Sequence, residues 1–134
     1  MSLRRGEAEV LRRRSLDFLA EAEHALSRGS HDIACFLAGQ SLQLYLKYVL
    51  LVIAGDYPRT HSVRQLLGEI ARITGSSEIV EFMRANRARL IVLEDSRLMA
   101  RYFVKEYSEE DAEDAIRLVR ELVKLLDRAL GGGP

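Results

Sequence analysis

Between Asp32 and Ala54 the chain places apolar residues on nearly every face of a helix, with Gln40, Ser41, Gln43 and Lys47 as the polar interruptions. A helix with no polar side has to be enclosed by neighbours, so this segment predicts the centre of a helical bundle. The same four residues deny it the roughly 20 uninterrupted apolar positions of a membrane span. No membrane contact is expected.

The flanking segments supply the cover. Val10, Leu11, Phe18, Leu19, Ala22 and Leu26 recur at three- and four-residue steps, which predicts an amphipathic helix from about Glu7 to Ser27. Arg28-Gly29-Ser30 breaks it; Ser30 is placed to cap the next helix and Asp32 to favour the positive end of its dipole. Gly55 and Pro58 end the apolar helix in a short loop. Thr60 or Ser62 then caps a helix carrying Val63, Leu66, Leu67, Ile70 and Ile73, closed by Gly75. From Ser76 or Ser77 onward, apolar positions between Ile79 and Tyr102 outrun an ordinary helix, and a break is expected near Ala88 to Ile91. Ser108-Glu109-Glu110-Asp111 resembles a capping box with Asp for Glu and opens a last helix through Ala112 to Leu125, stopped by Gly131-Gly132-Gly133.

No stretch alternates with period two, and no internal repeat is visible. The fold class is therefore read as all-α: an antiparallel up-and-down helical bundle of four long helices plus one or two shorter ones. A chain of 134 residues, 48% hydrophobic, suits one domain over 1–134, with 1–6 and 131–134 as frayed termini.

Charge excludes some functions. Twenty basic and twenty acidic residues leave no global field to draw nucleic acid or an anionic membrane, so any such attraction is local. The lone Cys35 rules out an intramolecular disulfide and argues against zinc; with an arginine-rich Met1–Arg14 segment unlike a signal peptide, this makes a reducing cytoplasm the expected location. Seventeen arginines against three lysines, with Asn86 as the single asparagine, fit a thermophilic source.

Three histidines bound the acid-base chemistry. Glu21 and His24 have the spacing used by dimetal bundles, but a second such pair is missing, so no metal site and no metal cofactor is expected. His31 falls in the first turn of the apolar helix as a surface residue. His61 precedes a helix start in Pro58-Arg59-Thr60-His61-Ser62, where open backbone donors either hold an anion or are satisfied by the loop's own side chains. Arg84, Arg87, Arg89, Arg97, Arg101 and Lys105 form a basic run in which Arg97 and Arg101 share a helix face. Such paired guanidinium groups suit phosphate, or else pair with the acidic stretch from Glu106 to Asp114.

Two blocks add a family resemblance. Gly29-Ser-His-Asp32-Ile-Ala34-Cys-Phe36-Leu-Ala38-Gly-Gln40-Ser-Leu-Gln-Leu44-Tyr-Leu-Lys47-Tyr-Val-Leu50 and the loop Gly55-Asp-Tyr-Pro58-Arg-Thr60-His61-Ser62 resemble HEPN domains, and Ala100-Arg101-Tyr102 is similar to a later Arg-Tyr element of that family. The resemblance implies a homodimeric bundle, often encoded beside a minimal nucleotidyltransferase partner in a toxin-antitoxin-like module, with nucleotide or RNA as ligand. Arg97, Arg101, Tyr102, His61 and Lys47 are the candidate phosphate- or nucleotide-binding residues. Many members of the wider superfamily are metal-independent ribonucleases that use an Arg and a His separated by four to six residues. No histidine here has an arginine at that distance: the positions in question are Asp17, Phe18 and Leu19 for His24, then His24, Ala25 and Leu26 for His31, and Ala54, Gly55 and Asp56 for His61. Reading forward from Arg101 meets Glu106, Tyr107 and Ser108. No catalytic residue is assigned; a degenerate ribonuclease and a purely structural dimeric interaction protein stand as alternatives.

Overall fold

The helices end where the chain cannot continue them. The structure, a computed structural model, describes the backbone of residues 2–102 and 106–130 and the side chains of residues 6–96 and 106–130. It holds α1 (Ser2–Ser27), α2 (His31–Ala54), α3 (Val63–Thr74), α4 (Ser77–Ala85), α5 (Arg87–Tyr102) and α6 (Glu109–Ala129). Among the described residues there is no strand. The all-α bundle of four long and two shorter helices is as expected.

Gly29 takes φ 81°, and its N–H donates to the Leu26 carbonyl while that of Ser30 donates to the Ala25 carbonyl. This pair of bonds is the Schellman closure of α1. It commits the Ser30 backbone to the end of α1, and the Ser30 side chain makes no capping bond to α2, contrary to expectation. Ser62 and Ser76 do cap, accepting from the backbone N–H of Gln65 and Ile79. Ser108 and Asp111 form the reciprocal capping box at α6.

Two boundaries differ from the sequence reading. α1 begins at Ser2, ahead of the start near Glu7 that the apolar steps predict. The break in the fourth helical region falls at Asn86 rather than between Ala88 and Ile91. There the Asn86 backbone N–H and side-chain amide both donate to the Phe82 carbonyl, while its own carbonyl accepts from the Leu90 N–H and starts α5. An amide that competes for helix carbonyls ends one helix and begins another. Gly131 to Gly133 lie outside the described residues.

α2 packs against α1, α3, α5 and α6. Its contact with α1 is made by small residues: Ala22, Ala25, Ala34 and Ala38 are buried, and Ser15 and Ser41 each donate a hydroxyl hydrogen bond to the other's backbone carbonyl, at 2.8 and 2.7 Å. Leu42, Leu46 and Leu50 of α2 are fully buried in one cluster with Leu66, Leu67 and Ile70 of α3, Leu90 and Leu93 of α5, and Leu118 and Leu122 of α6. Each such side chain contributes about 1.5–3 kcal/mol by leaving water. By length and composition α2 could cross a membrane; in the bundle it is the helix the others surround.

That enclosure is incomplete. Ile33, Phe36, Leu37, Gln40, Leu44, Lys47 and Tyr48 recur at helical steps and all retain exposure, while every other residue from Ala34 to Leu51 is buried. Ile33 is 45% exposed. Four neighbours cover only part of a helix circumference, so the all-round apolarity of α2 leaves one apolar face at the surface.

Two buried ionisable groups reinforce the core. The Tyr45 hydroxyl donates to the Asp127 carboxylate, joining α2 to α6; burial first, and that hydrogen bond second, push its phenol above the ordinary range. Burial, assisted by Asp111 and Asp32, pushes the Cys35 thiol from an ordinary 9.0 up to about 12. A group whose pKa rises on folding stabilises fully below its unfolded value and loses that contribution as pH climbs to the folded value. Stability should therefore fall above about pH 9, and Cys35→Ala should remove about 1–2 kcal/mol of that fall by about pH 10.5. Urea unfolding at neutral and alkaline pH measures it; an equal loss in both proteins would refute the assignment.

Candidate functional site

The loop between α2 and α3 is tied down at two points one helical turn apart on α2. Gln43, only 2% exposed, places its amide nitrogen 3.0 Å from the His61 carbonyl oxygen and 3.2 Å from His61 Nδ1. Lys47 holds its ammonium 5.2 Å from the centre of the Tyr57 ring, within cation–π range. Thr60 completes the turn, its hydroxyl accepting from the Ser62 N–H and donating to Gln65 Oε1. The result is a cleft of about 500 Å³ lined by Glu7, Lys47, Asp56, Tyr57, Arg59, Thr60 and His61. That volume lies in the usual range for small-molecule sites, about 300–1,000 Å³.

Two of the five residues singled out by sequence, Lys47 and His61, thus line one cleft. Arg97, Arg101 and Tyr102 belong to the final turns of α5, and their side chains lie outside the described residues. Lys105 lies outside them altogether.

The start of α3 already holds an anion, one from the protein itself. Glu94 of α5, its side chain 12% exposed, accepts from the Arg64 N–H at 2.7 Å, from the Ser62 hydroxyl at 2.9 Å, and from the Arg64 guanidinium at 3.2 Å. Of the two readings of this helix start, the structure supports satisfaction by the protein's own groups: Ser62 caps it and Glu94 meets the positive end of the dipole.

Two arginines of the basic run are paired as well. Arg84 bonds Glu81, and Arg89 lies between Asp114, Glu121 and the Asn86 side chain, at 2.8, 3.4 and 2.6 Å. Arg89 thus meets the acidic stretch at Asp114, whereas Arg84 pairs with a neighbour on its own helix. The wide groove of about 590 Å³ between α4 and α6 is rimmed by the same chemistry, with Arg89 on Glu121 and Arg128 on Glu78 over Phe82 and Leu125. His24 stands 3.8 Å from Glu21 on an exposed face of α1. Among the described residues no group of three His, Cys, Asp or Glu side chains gathers as metal ligands do.

Sequence reasoning passed over Gln43, Glu94, Glu7, Asp56 and Arg59. Gln43 stood out only as a polar interruption in an apolar helix, although a buried amide needs partners, and that requirement was the available signal. Nothing local marked Glu94, whose partners lie 30 and 32 residues away.

The backbone has counterparts among solved structures. It is similar to the crystal structure of TT1696 from Thermus thermophilus, with a TM-score of 0.76 and 22% identity over 91% of this chain and 97% of that one. It is also similar to ST0689, an archaeal HEPN homologue, with a TM-score of 0.66 and 23% identity over 90% and 94%. At such identities these likenesses show the fold alone. No curated protein matches the chain. Residues 8–129 match the HEPN domain, and because that match takes in all but the two ends of the bundle, the chain belongs to the HEPN domain family.

Proposed function

We propose that this HEPN domain is a non-catalytic binding module that takes a nucleotide, free or at the end of an RNA, into the cleft of Lys47, Arg59 and His61. The observation that carries the reading is the joining of Lys47 and His61, 14 positions apart in sequence, in one ligand-sized cleft with Arg59. Its chemistry suits a nucleotide better than bare phosphate. Lys47 and Arg59 answer phosphate oxygens, whereas Glu7, Asp56 and Thr60 accept from ribose hydroxyls or base amines. The missing Arg-His pair argues against ribonuclease chemistry.

Titration with ATP, GTP and a short RNA, followed by fluorescence or calorimetry, tests this. Lys47→Ala combined with Arg59→Ala should weaken binding at least about tenfold, equivalent to about 1.4 kcal/mol. Absent binding, or binding indifferent to both substitutions, would sink the proposal.

A second reading rests on the exposed apolar face of α2. Ile33, Phe36, Leu37 and Leu44 present a surface of the kind that marks protein contacts, and it fits a second copy of the chain or a nucleotidyltransferase partner in a toxin-antitoxin-like module. Light scattering after gel filtration should find a dimer that Ile33→Asp with Leu44→Lys converts to a folded monomer. A wild-type monomer at every concentration would rule out self-association.

A further inference from the structure

We propose that the groove between α4 and α6 is a second binding site, taking a small amphiphilic monoanion: a short apolar body ending in one carboxylate. It shares no lining residue with the cleft of Lys47 and His61, and it stands or falls apart from the nucleotide reading. The groove follows from how α4 packs. That helix lies on α3 and α5, and the Arg128–Glu78 ion pair bridges it to α6 across a gap of about 590 Å³. Such a volume falls within the usual range for small-molecule sites, about 300–1,000 Å³.

The charges around the groove select the ligand. Six charged side chains line it, and five are already paired: Arg128 with Glu78 at 2.9 Å, Arg89 with Glu121 at 3.4 Å, and Glu81 with Arg84 of its own helix at 2.6 Å. The sixth, Lys124, has no ion pair among the described residues. Beside it the groove is apolar, lined by Phe82, Ala85 and the almost fully buried Leu125. One unanswered ammonium next to an apolar surface suits a ligand with one negative head and a hydrocarbon body, the polar group fixing orientation and the apolar contact supplying affinity. Phosphate is served badly. A dianion calls for forked guanidinium groups, yet Arg89 is engaged by Asp114, Glu121 and Asn86, and Glu81 and Glu121 repel further negative charge. The two bridges to α6, at Glu121 and Arg128, stand about 10 Å apart along that helix, so the body between them is short.

Amide NMR spectra of the 15N-labelled full chain, titrated with octanoate below its micelle-forming concentration, test the site. The signals of Phe82, Ala85 and Leu125 should shift and saturate. Lys124→Gln, a change at an exposed helix position between two good helix formers, leaves the fold intact. It should weaken octanoate about fivefold and erase the preference for octanoate over octyltrimethylammonium, the cation of equal chain length. Lys124→Arg should keep both the affinity and the preference. Three results overturn the proposal: shifts confined to the exposed α2 face at Ile33, Phe36 and Leu44, octanoate binding indifferent to Lys124→Gln, or wild-type protein that binds the cation as tightly as octanoate. ATP binding at the Lys47 cleft bears on none of these readouts, so either site can fail without the other.

Discussion

Leu46→Ala is expected to lower the unfolding free energy by about 3–4 kcal/mol, the largest effect of any single truncation considered for this bundle. Leu46 is fully buried on α2, in the cluster shared by α3, α5 and α6. The loss combines the transfer energy of the deleted methyl-bearing carbons with the cavity left behind. Collapse around that cavity is hindered because α2 is bounded by four helices and its α1 seam is already closed by alanines and the Ser15–Ser41 pair. Urea unfolding followed by far-UV circular dichroism measures the change. Val52→Ala is the matched control: Val52 is 57% exposed, and its loss should stay within about 0.5 kcal/mol. A Leu46→Ala loss near the control value would mean that α2 is not the centre of the core.

Glu94→Ala is expected to cost about 2–3 kcal/mol, and Glu94→Gln about 1 kcal/mol. The carboxylate does three things at once: it accepts the Arg64 N–H at the start of α3, accepts the Ser62 hydroxyl, and pairs with the Arg64 guanidinium. Alanine strips all three and leaves the positive end of the α3 dipole unanswered. Glutamine keeps an acceptor and loses only the charge. Arg64 remains 38% exposed, so its ion pair is screened and contributes the smaller part. Equal losses for the two variants would show that charge, not hydrogen bonding, dominates the site. A double-mutant cycle with Arg64→Ala separates the guanidinium from the backbone contact.

The helices and most of their ends were legible in the sequence because their causes are local. Gly29, Gly55 and Gly75 all adopt positive φ where a helix has to turn back, and Ser62, Ser76 and Ser108 cap helices from positions that residue type and spacing reveal. Ser30 does stand at the N-cap of α2, its carbonyl accepting from the Ala34 N–H, but its side chain makes no cap bond while its N–H closes α1. The misplaced break at Asn86 has an equally local cause, the side-chain amide on the Phe82 carbonyl, and the identity of the single asparagine was the clue.

The candidate site was legible only in part. Lys47 and His61 were named from the family resemblance, and the fold lines one cleft with both. Glu7 stood only at the expected start of α1, and Asp56 and Arg59 lay within the resembling loop without a role being read for them. The apolarity of α2 was read as complete enclosure, yet hydrophobic pattern reports which faces avoid water and not how many neighbours arrive to cover them.

What the sequence determined by itself lies within reach of a helical turn: four long helices with one or two shorter ones, most of their caps, and the absence of an Arg-His pair. What the tertiary structure alone decided spans longer distances. Gln43 meets His61 across 18 residues, and Glu94 meets the start of α3 across 30 and 32. Those contacts exist because packing the apolar helices removes water from polar groups that must then find one another, and which groups meet is set by how the helices cross.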